Sequence, residues 1–180
     1  MSDISNLPNS KKIILKTRPN GDPKVSDFEM IEEVAKAPDD GEVLVEVQAL
    51  EIGAWIRTTL NETAFHGSTP IGGTIPALGN GKVISSKSDK FKEGDMVTGP
   101  LMAQSYTTMP ADFFTKVPNP EIDPFTQIGI LGVTTGLTAY FGIYEVGQVK
   151  ENDIVLVSGA AGGVGALVCQ LAKLKGAKVI

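Results

Sequence analysis

Residues 153–180 read DIVLVSGAAGGVGALVCQLAKLKGAKVI, and the fold is decided there. Ile154–Val155–Leu156–Val157 is an apolar run without polar interruption, the pattern of a parallel strand covered on both faces. Ser158–Gly159–Ala160–Ala161–Gly162–Gly163–Val164–Gly165 follows at once. Val164, Leu167, Val168, Leu171 and Leu174 then recur at spacings of 3 and 4, while Lys173 and Lys175 fall off that stripe. This spacing predicts an amphipathic helix, stopped by Gly176. Lys178–Val179–Ile180 opens a second strand, so the stretch is a βαβ unit.

The glycines between strand and helix suit a particular chemistry. A pyrophosphate must approach backbone N–H groups closely, and glycine has no Cβ to block it. A helix N-terminus adds unpaired N–H donors and about +0.5 of partial charge. The spacing is Gly159-x-x-Gly162-x-x-Gly165, one residue longer at the front than the commonest dinucleotide fingerprint. Three glycines alone are weak, but set between a buried strand and an amphipathic helix they have the context of a doubly wound Rossmann domain. Gly159, Ala161, Gly162, Gly163, Val164 and Gly165 are the expected cofactor-binding residues. A Gly/Ala-rich turn with no ligand is the alternative.

Outward from this unit the texture changes. Residues 123–180 read as the beginning of the Rossmann domain. Asp123–Pro124 is an N-cap with proline in the first helical position, and a helix to about Leu131 is expected. Thr134 or Thr135 is then expected to cap a helix over 136–146, with Gly147 as its stop. Residues 1–122 instead show short strands broken by turn residues. They run through Lys11–Arg18, the segment around Phe28–Ile31, Ala77–Ser86, Met96–Gly99 and Gln104–Met109. Val43, Val45 and Val47 alternate with Glu42, Glu46 and Gln48, the period of a half-buried strand. A helical turn is expected around Ala54–Leu60. The fold class is thus α/β with a β-rich N-terminal domain, a partly open barrel or sandwich, followed by the start of a doubly wound Rossmann domain.

Composition narrows the functions. A net charge of −5 in 180 residues leaves no basic face for nucleic acid. No apolar run approaches the ~20 residues of a membrane span, so no membrane partner is expected and a cytoplasmic protein is the default. One cysteine, Cys169, excludes an internal disulfide. One histidine, His66, stands far from it in sequence, so the three or four clustered ligands that zinc takes are missing and no metal is expected. Ile180 lies inside an apolar strand with no cap or turn after it. A longer protein is therefore expected, with the remaining Rossmann strands in its other part.

With these residues laid out, nearly the whole chain resembles the N-terminal half of a zinc-independent medium-chain dehydrogenase/reductase. The branch it resembles includes prostaglandin, 2-alkenal and curcumin reductases. The resemblance rests on Arg18–Pro19–Asn20–Gly21–Asp22–Pro23 with Asp27–Phe28, on Gly41–Glu42–Val43–Leu44–Val45, and on Gly94–Asp95–Met96–Val97. It continues through Gly136–Leu137–Thr138–Ala139–Tyr140–Phe141–Gly142, the glycine loop, and Lys173–Leu174–Lys175–Gly176–Ala177–Lys178–Val179. Two departures stand out. Gly53–Ala54–Trp55–Ile56–Arg57 keeps only the aromatic and the arginine of the branch's Asp-Pro-Tyr/Phe-Met-Arg, and Thr134–Thr135 replaces Met-Pro.

The resemblance implies a GroES-like, partly open β-barrel for residues 1–122 and NADPH as cofactor. Thr135 would stand beside the nicotinamide and Lys178 would reach the 2′-phosphate. Trp55 and Arg57 are the substrate-site candidates. The implied reaction is reduction of the C=C bond of an α,β-unsaturated carbonyl compound, with hydride passing to the β-carbon. A small-molecule enone is then the substrate, and a homodimer is implied for the full-length protein. The alternatives are a quinone substrate, a nucleotide-binding protein without turnover, and an interaction module. No catalytic proton donor is identified: Tyr106, Tyr140 and Tyr144 are the candidates, but each reads first as a core or surface tyrosine.

Overall fold

The structure is a computed structural model in which residues 7–180 are described. The chain divides into two compact units, Met1–Pro124 and Phe125–Ile180.

In the first unit, β1 (Asn9–Leu15) pairs antiparallel with β2 (Phe28–Val34), Leu15 opposite Phe28. Among the described residues a five-stranded antiparallel sheet runs in the order β6-β3-β4-β5-β7. Its strands are β3 (Glu42–Leu50), β4 (Leu78–Ser86), β5 (Met96–Pro100), β6 (Tyr106–Pro110) and β7 (Thr115–Lys116). The hairpin joins this sheet where the Ser105 amide donates to the Lys11 carbonyl and Ile13 to Ala103, each at 2.9 Å. Isolated antiparallel bridges at Lys12/Gln104 and Ile14/Thr74 add to this link, as in a partly open, GroES-like barrel.

Burial in β3 departs from simple alternation. Val43 and Val45 face the main core with Val83, Val97, Leu101 and Phe114, as their period requires. Leu44, between them, is buried as well. Strands β4 and β6 pair with β3 along its two edges, and bulges at Leu44/Val45 and Val47/Ala49 shift its register against β4. A second cluster of Leu15, Leu60 and Ile75, backed by Ile13, Phe28 and Ile56, ties the hairpin to α1 (Trp55–Thr59).

In the second unit, α2 (Pro124–Gly129) opens on its proline and ends two residues short of Leu131. The amides of Ile130 and Leu131 both turn back to the Thr126 carbonyl, closing the helix early. The next helix begins at Val133, three residues before the expected start, and no side chain caps it. Its two ends, Val133–Leu137 and Phe141–Val146, are π-wound around one α turn, α3 (Thr138–Tyr140). Thr135 is consequently inside the first turn, where its hydroxyl donates back to the Gly129 carbonyl. Gly147 closes the helix with an amide bond to Gly142 O at 2.9 Å, but the left-handed residue is the following Gln148, at φ 49°.

The βαβ unit forms as β8 (Ile154–Val155), α4 (Gly163–Leu174) and β9 (Lys178–Val179), with β8 and β9 parallel. Bonds from Val157 N to Ile180 O (3.2 Å) and from Ile180 N to Val155 O (2.9 Å) carry the pairing on. Cover comes from one side only. Val155 and Val179 pack with Val168 and Leu171 of α4, whereas Ile154 and Leu156 stand 69% and 79% exposed.

Helix α4 ends in a Schellman motif. Gly176, at φ 87°, donates to Lys173 O (2.9 Å), and Ala177 donates to Ala172 O (3.1 Å). This closure sets Ala177 against the fully buried Ala172. The core position of the last turn is therefore filled by alanine, and Leu174, expected on the apolar stripe, is 82% exposed.

Candidate functional site

The glycine loop runs from Ser158 to Gly162 between β8 and α4. Its backbone turns at Gly159, which sits in the left-handed region at φ 62°. The Gly162 amide donates to the Gly159 carbonyl at 2.9 Å and closes the turn. The first amide to bond within α4 is that of Ala166, to Gly162 O at 2.9 Å. The amides of Gly163, Val164 and Gly165 are therefore the donors that a helix start cannot use internally. They converge at the positive end of a twelve-residue helix.

The spaced glycines serve different ends. A Cβ on Gly165 would collide with the Gly159 carbonyl and lie 3.0 Å from Ala160 Cα, so this glycine lets the helix sit on its own loop. A Cβ on Gly162 would meet only the Gly159 oxygen, at 3.2 Å, and that position is otherwise open. Gly163 looks onto Thr135, whose methyl would lie 3.1 Å from an added Cβ. The structure thus brings Thr135 beside the loop residues that the motif singled out.

Lys178 stands elsewhere on the βαβ unit. It opens β9 opposite Ile154, and its amide donates to Asp153 O at 2.8 Å. The loop follows the other end of the strand pair, where Val157 meets Ile180. Lys178 is exposed and shares the face of Ile180, opposite the side packed on α4.

In the first unit Trp55 opens α1, with its indole folded over Gly53 and its Nε1 buried without a hydrogen-bond partner. Arg57 is held by structure. Its guanidinium donates to Gly21 O (2.8 Å) and to Asn61 Oδ1 (3.0 Å). Arg18 reaches the same helix from the other side, donating to the carbonyls of Leu60 and Asn61 at 2.9 Å each. The Arg18–Pro23 signature is therefore a clamp on the C-terminal end of α1, and Arg57 belongs to it. Sequence spacing alone could not show this, because the partners lie 36 to 43 positions apart.

Two of the three tyrosine hydroxyls are engaged locally. Tyr106 Oη donates to Glu46 Oε1 (3.3 Å), and burial, with that carboxylate beside it, holds the phenol above its ordinary range. Tyr144 Oη donates to Leu171 O (2.8 Å). Tyr140 packs edge-on against Tyr144 with ring centroids 5.0 Å apart. Among the described residues no three His, Cys, Asp or Glu side chains gather as metal ligands could.

Residues 11–117 match the sequence family described as the N-terminal domain of oxidoreductase. The chain belongs to this oxidoreductase family. Its signatures place it in the medium-chain dehydrogenase/reductase branch of the curcumin, 2-alkenal and prostaglandin reductases. This family member is 31% identical over 172 residues to the NADPH-dependent curcumin reductase of Escherichia coli, covering 95% of this chain and 50% of that protein. It is 33% identical over 177 residues to the 2-alkenal reductase (NADP(+)-dependent) of Nicotiana tabacum, covering 95% and 51%. The crystal structure of CurA from Vibrio vulnificus in complex with NADPH superposes with a TM-score of 0.85 at 27% identity, over 94% of this chain and 50% of that one. The chain spans about half the length of the curated relatives it matches.

Proposed function

We propose that the protein is an NADPH-dependent oxidoreductase that reduces the C=C bond of α,β-unsaturated carbonyl compounds without zinc. The observation that carries this reading is the glycine loop. Among the described residues, three first-turn amides of α4 have no hydrogen-bond partner beside Gly162, where an added Cβ would meet only the Gly159 oxygen. That space and those donors fit a pyrophosphate. The relatives named above as an NADPH-dependent curcumin reductase and an NADP(+)-dependent 2-alkenal reductase support the cofactor and substrate class.

Bound NADPH would supply the hydride, delivered to the β-carbon of the enone, and the enolate left behind would take up a proton at the α-carbon from solvent. The residues of this chain bind and orient. Gly163, Val164 and Gly165 would donate to phosphate oxygens through their amides, with Ala161 flanking them on the loop. Thr135 limits the depth of the cradle at Gly163, its own hydroxyl being tied to Gly129. Holding two reactants in a fixed relation is itself a large part of catalysis in such enzymes. Lys178 is proposed to favour the 2′-phosphate. It opens β9 opposite Ile154 and is exposed on the face that α4 does not cover.

The test is a steady-state assay of the intact protein with NADPH over a panel of enones and quinones, with and without a chelator. Saturable oxidation of NADPH by enones, giving the saturated carbonyl product and indifferent to chelator, is expected. Turnover of quinones alone, or loss of activity with removal of a stoichiometric metal, contradicts the proposal.

A further inference from the structure

Asparagine is followed by glycine at two places in the chain, Asn20–Gly21 and Asn80–Gly81. Such a pair carries a reaction of its own. The backbone nitrogen of the glycine can attack the side-chain carbonyl carbon of the asparagine, and only glycine leaves that nitrogen unshielded by a Cβ. The fold puts the two pairs in opposite settings.

Asn80–Gly81 is locked in β4, the central strand of the five-stranded sheet. Asn80 is 2% exposed, and its side-chain amide donates to Pro124 O at 3.2 Å. Gly81 lies between Val47 of β3 and Val97 of β5, packed so closely that an added Cβ would stand 2.6 Å from Glu46 O. The Asn80 carboxamide cannot swing onto the Gly81 nitrogen unless the sheet opens. Asn20–Gly21 is exposed in the turn from β1 to β2. Gly21 is left-handed at φ 84°, and an added Cβ there would meet nothing within 4 Å. Among the described residues neither the Asn20 side chain nor the Gly21 amide has a hydrogen-bond partner. The Gly21 carbonyl, by contrast, accepts from the Arg57 guanidinium at 2.8 Å.

We infer that Asn20 is a self-modifying site, which deamidates in the folded protein and thereby loosens the clamp on α1. The Gly21 nitrogen bonds to Cγ of Asn20 and gives up its proton, the bond from Cγ to the side-chain nitrogen breaks, and ammonia leaves with that proton. Water then opens the cyclic imide at one of its two carbonyls. Attack at Cγ restores the main chain and leaves an aspartate. Attack at the main-chain carbonyl leaves an isoaspartate, whose chain runs through Cβ and Cγ to Gly21. Both products gain a negative charge, and the second also lengthens the main chain by an atom directly before Gly21. The Gly21 carbonyl is then displaced from Arg57, which it helps to hold. Water is the one co-reactant, and nothing is oxidised or reduced.

The experiment incubates the intact protein at mildly alkaline pH and follows the peptides that carry positions 20 and 80 by mass spectrometry, with fragmentation that separates isoaspartate from aspartate. In the folded protein position 20 is expected to convert faster by on the order of a hundredfold or more, because position 80 reacts only through opening of the sheet. In denaturant the two rates should converge. Comparable rates in the folded protein, or no conversion at Asn20, overturn the inference. Gly21→Ala should suppress conversion at position 20 and leave position 80 as it was; conversion at position 20 unchanged by it overturns the route through the imide. The clamp has its own readout. Isoaspartate formation should lower the melting temperature of the parent and leave that of Arg57→Gln unmoved, and equal losses in both overturn the loosening of the clamp.

Discussion

Asn152 and Gly94 do the same work at the entrances of two strands. Lys92–Glu93–Gly94–Asp95 precedes β5 and Lys150–Glu151–Asn152–Asp153 precedes β8. In each turn the aspartate accepts the lysine amide, at 3.0 and 2.8 Å, and the third residue is left-handed, at φ 90° and 69°. Asparagine tolerates that region where a β-branched residue does not. Asn152→Val should destabilise the fold by about 1–2 kcal/mol, whereas Asn152→Gly should be near neutral; equilibrium denaturation measures both. The loop glycines separate in the same way. Gly165→Val should lower thermal stability, because the Gly159 carbonyl cannot withdraw. Gly162→Val should leave the fold and remove NADPH affinity. Equal stability losses for both would show that Gly162 is structural too. Lys178→Ala should weaken NADPH binding about tenfold, as for a charge-assisted hydrogen bond, and leave NADH binding unchanged. Losses equal for both cofactors would return Lys178 to solvent.

Strands, turns and helix stops were largely legible in the sequence because they rest on local chemistry. The Pro124 start of α2, the Gly176 stop of α4 and the alternating valines of β3 all follow from one residue and its neighbours. What escaped was set by partners distant in the chain. The length of β8 depends on β9, which pairs with it from beyond α4, and each is two residues long. The same holds at the candidate site. The glycine loop was readable, but Arg57 in its clamp depends on contacts that no spacing announces. One turn makes a prediction at this scale. The Lys116 ammonium, with the Lys92 amide, holds the Asp95 carboxyl below its ordinary value, which lies near ~4. A depressed folded pKa contributes stability above the unfolded value and loses it as pH falls through the folded one. Asp95→Asn should therefore lower stability at neutral pH and flatten the acid limb of the stability curve below about pH 4. An unchanged acid limb would show that this carboxylate is not linked to folding.

At the scale of the molecule, the two units differ in how they cover apolar surface. The barrel buries Val43, Val45, Val83 and Val97 completely, while the βαβ unit covers its parallel pair on one face and leaves Ile154, Leu156 and Ile180 exposed. Exposed faces of this kind bind partners or dyes. The isolated 180-residue chain should bind an environment-sensitive hydrophobic dye and unfold with low cooperativity; sharp cooperative unfolding without dye binding would contradict this. The central claim is that the loop of Gly159, Gly162 and Gly165 is a dinucleotide cradle. Its most direct test is calorimetric titration of the intact protein and of a folded Gly162→Val variant with NADPH. The account predicts saturable one-site binding in the parent, with affinity lost in the variant. Equal NADPH affinity in the two proteins, or no binding in the parent, would contradict it.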